Sequence, residues 1–235
     1  MKIYTKKGDT GETSLYGGEK ISKALKNSMK KALLIINGEP PKEKIDISKF
    51  NGIFCTDGAY AKALEIGIQP EIIVGDLDSI CLENLDSTIE VLRRSNQDFT
   101  DFYKSLVEIE KRGFQSVDVY GATGLEHDHF LGNLSTALKF KDKIRISFHD
   151  DFSVFFFAKS PVILRDTKNR VISLYPFPFA KNVISEGLFY PLDKVDLQLN
   201  GFISTRNHSL EEEVKIQYDE GEMLVFVSKY HRDFS

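Results

Sequence analysis

The sequence has no tryptophan and few sulfur-containing residues. Its 235 residues include only two cysteines, Cys55 and Cys81, and three methionines. Two cysteines give neither a disulfide framework nor the paired spacing of a zinc site. We therefore expect both to be buried residues without a chemical role. Any aromatic ring that stacks on a ligand must belong to a phenylalanine, a tyrosine or a histidine.

Long apolar runs are also absent. No stretch approaches the roughly 20 consecutive apolar residues that a membrane-spanning helix needs, and the first residues lack the apolar core of a signal peptide. We therefore expect a cytoplasmic protein with no membrane partner. An excess of positive charge is missing as well, since the net charge is −4. This balance argues against general binding to nucleic acid or anionic lipid.

The remaining composition, 41% hydrophobic and 28% charged, is typical of a globular protein. A chain of this length can form one large domain or two modest ones. Because the hydrophobic pattern changes near residue 150, we expect two domains. They are predicted at residues 25–150 and 151–235, after an N-terminal extension at residues 1–24.

The first predicted domain alternates short apolar runs with helical patterns. In residues 101–112, Phe102, Leu106 and Ile109 share one helical face, and residues 128–140 repeat the pattern. Strands that alternate with helices predict an α/β domain with a mostly parallel sheet flanked by helices on both faces. The strands are expected at residues 32–37, 52–56, 72–74, 89–92, 117–120 and 144–148.

Beyond residue 150 the helical pattern disappears, and short strands separated by turns replace it. Eleven of the eighteen phenylalanines lie between Phe148 and Phe234, where they can fill a core between two sheets. We therefore expect a C-terminal antiparallel β-sandwich domain, with a barrel as the alternative. Its strands are predicted at residues 152–156, 162–164, 171–174, 195–199, 214–216 and 223–227.

The most informative motif is an acidic turn, Gly75-Asp76-Leu77-Asp78-Ser79, directly after a buried apolar run. In an α/β sheet this position places both aspartates at the carboxyl edge, where such sheets bind ligands. Because successive residues alternate in direction, Asp76 and Asp78 can project the same way and share a hard cation through their oxygens. Taken alone, the motif is explained slightly better by an ordinary solvated turn than by a cation site.

Two further clusters strengthen the interpretation as a site. Thr100 is placed to cap a helix that Asp101 opens, and Lys104 lies one turn later on the same face. The carboxylate and the ammonium can therefore converge on one metal and phosphate group. Asp128 and His129 open the next helix after a glycine turn. Each cluster alone could be a helix cap, but three at strand-to-helix edges indicate a divalent metal that holds a polyphosphate.

Five short motifs occur in order along the chain, at residues 56–59 (TDGA), 70–79 (PEIIVGDLDS), 97–104 (QDFTDFYK), 121–133 (GATGLEHDHFLGN) and 201–207 (GFISTRN). Together they resemble the thiamine pyrophosphokinase family, and several ordered motifs are far more specific than any one. The resemblance implies transfer of a pyrophosphoryl group from ATP to thiamine, giving thiamine diphosphate and AMP with Mg²⁺. It also implies an α/β catalytic domain, a β-sandwich that binds thiamine, and a homodimer with active sites at the subunit interface.

The resemblance also assigns roles to single residues. Asp76, Asp78 and Asp101 match the metal positions, and ATP is so anionic that Mg²⁺ must lie between these carboxylates and the phosphates. Asp101, Asp128 and Lys104 match catalytic positions. Either Asp101 or Asp128 is the base that accepts the proton of the thiamine hydroxyl. The residues assigned to cofactor or substrate binding are Asp57, Gln97, Asp98, Thr100 and His129, with Ser204 and Asn207 at the thiamine.

The chain departs from the family pattern at two places. Glu126 stands where the family often has an arginine, so a cation for phosphate must come from elsewhere, with Lys104 and Arg206 as candidates, or nucleotide binding is weaker. Residues 1–23 resemble the start of ATP:cobalamin adenosyltransferases, but the helical bundle that completes that enzyme is missing, which favours a fusion remnant. Two alternatives stay open, a thiamine or nucleotide sensor without turnover and a bifunctional adenosyltransferase.

Overall fold

The computed structural model describes residues 12–14, 20–22, 29–80 and 85–232. The chain forms two compact units, the first made of Lys30–Phe156 and the second containing the residues from Phe157 onward. Strands β1 (Glu12–Ser14) and β2 (Lys20–Ser22) pair antiparallel in a two-stranded sheet of their own. The rest of the segment that resembles adenosyltransferases lies outside the described residues, and so does Cys81.

The first unit is built on a sheet whose neighbouring strands are parallel in the order β6-β5-β4-β3-β7-β8. The strands are β3 (Lys31–Ile35), β4 (Gly52–Thr56), β5 (Ile72–Gly75), β6 (Glu90–Arg93), β7 (Ser116–Tyr120), β8 (Arg145–His149) and β9 (Ser153–Phe157). The parallel arrangement confirms the sequence prediction. Strand β9, whose residues the sequence grouped with the second domain, pairs antiparallel with β8. The architecture is therefore mixed, with parallel strands on the N-terminal side and antiparallel strands in the C-terminal part.

The central strands are apolar because they are covered on both faces. Four consecutive residues of β3, from Ala32 to Ile35, are 0% exposed, as continuous apolar runs in parallel sheets require. Cys55 in β4 belongs to the core cluster on one face of this sheet and is a free, buried cysteine. Burial raises the pKa of its thiol to about 12, so Cys55 remains protonated near neutral pH, as expected for a residue without a chemical role.

Three α-helices occur in the described part of the first unit: α1 (Tyr60–Glu65), α2 (Asp101–Lys111) and α3 (His127–Phe140). The sequence predicted α2 and α3 but missed α1, which is short and lacks a side-chain cap. Helix α2 begins as predicted, because Thr100 Oγ1 accepts a hydrogen bond from the Tyr103 backbone N–H at 3.2 Å. Its buried face carries Phe102, Leu106 and Ile109. No helix in the described ranges is long and apolar enough to cross a membrane.

The order of the strands reverses at β3, and this reversal determines where a ligand can bind. From β3 the chain adds β4, β5 and β6 on one side, then returns to add β7 and β8 on the other. The loops that leave the carboxyl ends of β3, β4 and β7 therefore surround a crevice. In open α/β sheets the crevice at such a reversal is the usual ligand site.

The second unit consists of antiparallel strands around the long strand β11, which pairs with β12, β13, β14 and β15. The strands are β10 (Val162–Arg165), β11 (Arg170–Glu186), β12 (Val195–Gln198), β13 (Ser204–His208), β14 (Glu213–Gln217) and β15 (Glu220–His231). The sequence predicted the antiparallel type but missed β13 and most of β11. Pro176 and Pro178 interrupt β11 and resemble a strand end, and the polar β13 has little of the apolar pattern of a strand.

Candidate active site

A cavity of about 420 Å³ lies at the carboxyl edge of the parallel sheet, between the ends of β3, β4 and β7 and the first turns of α2 and α3. Five of the residues that the sequence assigns to the site line this cavity. They are Asp57, Thr100, Asp101, Asp128 and His129. Predicted residues from three separate motifs thus share one concave space within the first unit.

The rim of the cavity is held by backbone hydrogen bonds between the loops after β3 and β7. The Gly38 N–H donates to the Gly121 carbonyl at 2.6 Å, and the Glu39 N–H donates to the Thr123 carbonyl at 2.8 Å. A Cβ atom at Gly38 would lie 2.1 Å from the Gly121 carbonyl oxygen. Only glycine permits this close approach, so the two loops form a rigid, backbone-lined wall.

Asp57 is a buried carboxylate that holds the neighbouring acidic turn. It is 4% exposed, and its two oxygens accept hydrogen bonds from the N–H groups of Gly58 and Leu77, each at 2.8 Å. A Cβ atom at Gly75 would lie 2.3 Å from the Asp57 carboxyl carbon. The pKa of Asp57 is raised, first by burial and further by the negative charge of Asp101. Asp57 therefore fixes the backbone of the turn, including Leu77 at φ 72°.

Asp76 and Gln97 belong to different motifs and meet in the fold. Gln97 Nε2 donates to Asp76 Oδ2 at 3.0 Å, and the Asp78 backbone N–H lies 3.3 Å from Asp76 Oδ1. The hydrogen bond from Gln97 is the main cause of the lowered pKa of Asp76. The side chain of Asp78 is exposed. The turn thus presents one ionised, oriented carboxylate and one that is free to reach a ligand.

Asp101 and Lys104 form an ion pair in the first turns of α2. Lys104 Nζ lies 2.9 Å from Asp101 Oδ1. The residue Lys104 is only 8% exposed, whereas the Asp101 side chain is 33% exposed. A buried ammonium therefore neutralises part of the charge of a carboxylate that still faces the cavity. Asp101 therefore faces the cavity with its negative charge partly balanced by Lys104.

The start of α3 places three polar side chains at the opposite wall. The Asp128 carboxylate accepts a hydrogen bond from the His129 backbone N–H at 3.0 Å. Glu126 Oε2 lies 3.6 Å from His129 Nε2, and both side chains are 76% exposed. Asn133 Nδ2 donates to the Ala122 carbonyl at 3.2 Å, which ties the glycine turn to the helix. Asp128 and His129 are solvent-accessible and positioned by the helix start.

A resident metal must fit the carboxylates that are present. In the described parts of the chain, no three His, Cys, Asp or Glu side chains gather closely enough to hold an ion by themselves. The Asp57 carboxylate nevertheless bonds the N–H of Leu77, the residue directly after Asp76, and the charge of Asp101 contributes to the raised pKa of Asp57. Mg²⁺ normally binds one or two carboxylates together with water and substrate phosphates rather than a complete protein cage. The donor set therefore fits Mg²⁺ that arrives with a phosphorylated ligand.

Ser204 and Asn207 lie in β13 of the second unit, and both are buried. Asn207 Nδ2 donates to the Tyr190 carbonyl at 2.7 Å, and its Oδ1 accepts from the N–H groups of Tyr190 and His208 at 3.1 and 2.9 Å. The ring of His208 stacks on Phe189 at 4.5 Å. The amide of Asn207 therefore positions an aromatic loop and already uses its hydrogen-bonding groups within the protein.

Some predicted residues do not line the cavity themselves but are bonded to residues that lie in or next to its lining. Lys104 is linked to the cavity by its ion pair with Asp101. Gln97 bonds Asp76, and the residue after Asp76 bonds Asp57 in the lining. Asp98 is exposed and does not line the cavity, and its N–H is bonded to Asn96 Oδ1 at 2.8 Å.

Sequence reasoning missed several residues of the site, including Asn37, Gly38, Thr56 and Asn133 in the lining. It also missed Lys62, whose Nζ donates to the Asn37 and Gly38 carbonyls at 2.7 and 3.0 Å. The Asn-Gly pair directly after a buried strand was the available signal for the first two. Thr56 and Asn133 lie inside the motifs at residues 56–59 and 121–133, which was the available signal for them, whereas no comparable signal marked Lys62.

Comparisons with known proteins agree with the motifs. Residues 21–148 match the thiamin pyrophosphokinase catalytic domain, and residues 161–223 match the thiamin pyrophosphokinase vitamin B1 binding domain. Thiamine pyrophosphokinase 1 of Oryza sativa subsp. japonica is 31% identical over 169 residues, which cover 64% of this chain and 63% of the rice protein. Thiamin pyrophosphokinase 1 of Caenorhabditis elegans is 24% identical over 217 residues, which cover 78% of this chain and 83% of the nematode protein. The chain thus spans just under two thirds of the rice relative.

Solved structures share the fold. The crystal structure of thiamine pyrophosphokinase from Bacillus subtilis aligns with a TM-score of 0.71 at 23% identity, covering 84% of this chain and 98% of that chain. Thiamin pyrophosphokinase from Candida albicans aligns with a TM-score of 0.72 at 18% identity, covering 87% and 90%. These similarities establish the mixed α/β fold. Because the catalytic-domain match alone extends over more than half of the chain, the protein belongs to the thiamin pyrophosphokinase family.

Proposed function

We propose that the protein transfers the pyrophosphoryl group of ATP to thiamine, giving thiamine diphosphate and AMP. The observation that carries the proposal is the acid-lined cavity at the strand reversal, in a chain of this family. Asp57, Asp101 and Asp128 come from three separate motifs and meet there. A small cavity with convergent polar groups and a carboxylate of raised pKa is the expected form of a catalytic site.

In the proposed reaction the hydroxyl oxygen of thiamine forms a bond to the β-phosphorus of ATP. The bond between that phosphorus and the oxygen bridging to the α-phosphorus breaks, and AMP leaves with this oxygen. The proton of the hydroxyl passes to a carboxylate, either Asp101 or Asp128, both of which line the cavity. Lys104, which pairs with Asp101, stabilises the negative charge of the phosphates at this position. Positioning of the two substrates supplies most of the remaining rate acceleration.

Mg²⁺ is part of the proposal, and Asp76, Asp78 and Asp101 are the residues that would hold it. When bound, the ion neutralises phosphate charge that would otherwise be repelled by these carboxylates. Asp57 supports this arrangement indirectly, because it bonds the Leu77 N–H between the two aspartates of the turn. Gln97 does so by orienting the Asp76 carboxylate.

The second unit supplies thiamine binding in this proposal. Its match to the vitamin B1 binding domain supports that role. Asn207 would act by holding the loop with Phe189 and Tyr190, whose side chains are 48% and 64% exposed. We also propose that this unit is a β-sandwich, which the alternating burial along β14 supports. We further propose that the protein is a homodimer, which light scattering can test. A cytoplasmic location, where ATP is available, is also part of the proposal.

The test is a direct assay of the purified full chain with ATP and thiamine, in which thiamine diphosphate and AMP are quantified by chromatography. We expect equal amounts of the two products, no product after EDTA treatment, and recovery when Mg²⁺ is added. The sensor alternative, which Glu126 at the cavity leaves open, gives a different pattern. Thiamine and ATP would then bind, as measured by calorimetry, but AMP would not form. Absence of both binding and turnover would reject the proposed function.

A further inference from the structure

A buried hydroxyl without a partner lies beside the cavity of the first unit. Thr56 is 4% exposed and lines the cavity at the end of β4. In the part of the chain that the structure describes, four buried polar side-chain atoms lack a hydrogen-bond partner, and Thr56 Oγ1 is the one whose residue lines this cavity. The atom itself is shielded from bulk solvent. Such an orphaned group is costly in a folded protein and needs an explanation.

The surroundings of Thr56 favour an anionic group of a ligand. The first turn of α2, from Thr100 to Phe102, lines the same cavity. This eleven-residue helix directs the positive end of its dipole toward that space. The carboxylates of Asp57 and Asp101 are also present, so an anion there needs hydrogen-bond donors that compensate for nearby negative charge.

A threonine hydroxyl is suited to this task because it donates a hydrogen bond without adding charge. A rotation of about 120° about the Cα–Cβ bond carries the hydroxyl from one staggered position to another. The hydroxyl can therefore turn toward a ligand that enters the cavity. A phosphate oxygen would then replace the missing partner with a charge-assisted hydrogen bond.

We propose that the Thr56 hydroxyl donates a hydrogen bond to a phosphate oxygen of the bound nucleotide and so favours phosphorylated nucleotides over nucleosides. The inference rests on the proposed function, since it takes the cavity to be the nucleotide site. Thr56 is then a specificity-determining residue that contacts the substrate. Its role is distinct from that of its neighbour Asp57, which bonds the backbone of the acidic turn.

The test uses Thr56→Val, which replaces the hydroxyl by a methyl group of the same shape. Dissociation constants for ATP, AMP and adenosine are measured by calorimetry on the full chain without thiamine, so that no turnover is needed. We expect binding of ATP and AMP to weaken about tenfold, as for loss of one hydrogen bond to a charged acceptor, with adenosine unchanged. We also expect the melting temperature to stay level or rise, because an unpaired buried hydroxyl has been removed. Thr56→Ser, which keeps the hydroxyl, should restore most of the phosphate preference.

Thr136→Val is the matched control, because Thr136 is 7% exposed in α3 and does not line the cavity. This variant should bind all three ligands like the wild type. Unchanged binding of ATP and AMP by Thr56→Val, or equal weakening of adenosine, would overturn the proposal. The role of Thr56 and the proposed function can be contradicted separately. A wild type that binds nucleotide but forms no thiamine diphosphate contradicts only the proposed function. A wild type that binds no nucleotide contradicts both.

Discussion

The carboxylates around the cavity differ in what their oxygens already bind. Asp57 uses both oxygens for backbone N–H groups and is 4% exposed. Asp101 shares one oxygen with Lys104 and remains a third exposed, while Asp78 and Asp128 are exposed. A carboxylate whose oxygens are occupied by backbone can orient a loop, but one with a free oxygen can meet a substrate. Burial therefore separates positioning residues from candidates for chemistry.

We predict that Asp101→Asn retains the fold and loses about 10²–10⁴ in kcat, the usual range for removal of a group that transfers a proton. The asparagine oxygen can still accept the hydrogen bond from Lys104, which lies 2.9 Å from the present carboxylate, so the buried ammonium keeps a partner. Thiamine diphosphate formation and the far-ultraviolet circular dichroism spectrum are the measurements. Asp142→Asn is the control, because that side chain is 68% exposed and lies outside the cavity. Turnover of Asp101→Asn within threefold of wild type would remove Asp101 from the mechanism.

A second buried carboxylate, Asp118 in β7, serves stability. Asp118 Oδ2 lies 2.6 Å from Lys31 Nζ and 3.4 Å from His149 Nε2, and the Asp118 side chain is 10% exposed. Burial by itself would raise the pKa of Asp118, but His149 and Lys31 together outweigh it and lower the pKa. The longer contact to Asp118 leaves His149 Nε2 without a hydrogen-bond partner within the described residues.

The sign of the pH dependence follows from this lowered pKa. An ionised Asp118 stabilises the folded state at pH values above its unfolded pKa of about 3.9. That stabilisation is lost as the pH falls through the still lower folded pKa. We predict that Asp118→Asn reduces the free energy of unfolding by about 1–3 kcal/mol at pH 7, and that the difference from wild type shrinks toward pH 3. Urea denaturation at several pH values measures this, and a difference independent of pH would contradict it.

Among the elements, β6 and α2 are joined by a charged network. Glu108 in α2 accepts hydrogen bonds from Arg112 Nε at 2.8 Å and Arg94 Nη2 at 3.1 Å. Arg112 also makes two hydrogen bonds to Glu90 in β6, at 3.0 and 2.6 Å. The segment between the two elements carries Gln97, which orients Asp76. The network therefore holds Arg94, at the start of this segment, to the C-terminal part of α2.

The two acidic members of this network should contribute unequally to stability. The Glu108 side chain is 7% exposed and the Glu90 side chain 49% exposed. We predict that Glu108→Gln lowers the free energy of unfolding by about 1–3 kcal/mol, because two arginines lose a buried charged acceptor. Glu90→Gln should cost about 1 kcal/mol or less, as exposed ion pairs do. Equal losses in denaturant titrations of the two variants would show that burial does not govern this network.

The helices and strands differ in how well the sequence predicts them. Parallel strands such as β3 and β4 were predictable, because burial on both faces demands continuous apolar residues. Helix α1 was not, since six residues without a side-chain cap leave only a weak local pattern. Strand β13 was missed because it is stabilised by pairing with β11 rather than by its own apolar residues. Apolar patterns in the sequence predict burial well, but they do not predict which strands pair.

The same limit applies to the site. The acidic motifs could be placed at one edge of the sheet because each follows a strand or opens a helix. The contact between Gln97 and Asp76, 21 residues apart, depends on tertiary structure and could not be inferred from spacing. Thr56 opens the motif at residues 56–59, but only its burial without a partner points to the hydroxyl itself.

At the scale of the whole molecule, the two units differ in how their strands pair. The first unit uses parallel strands joined by helices, and their carboxyl edge provides the cavity. The second uses antiparallel strands around β11. The N-terminal strands β1 and β2 pair with each other in a separate sheet, and an isolated two-stranded hairpin has little stability of its own. Deletion of residues 1–24 can therefore show whether this segment takes part in function.

We predict that the chain without residues 1–24 forms thiamine diphosphate at a rate within about twofold of the full chain, because the cavity lining and the core residues that the structure describes all lie after Lys30. Loss of the segment's few large apolar residues should cost at most a few kcal/mol of stability. Steady-state kinetics for each substrate and thermal unfolding of both chains are the measurements. A loss of stability with unchanged KM values would mean that the segment is a structural strap. A selective rise in the KM for ATP would contradict the interpretation as a remnant, because it would place the glycine-rich segment at a phosphate of the nucleotide.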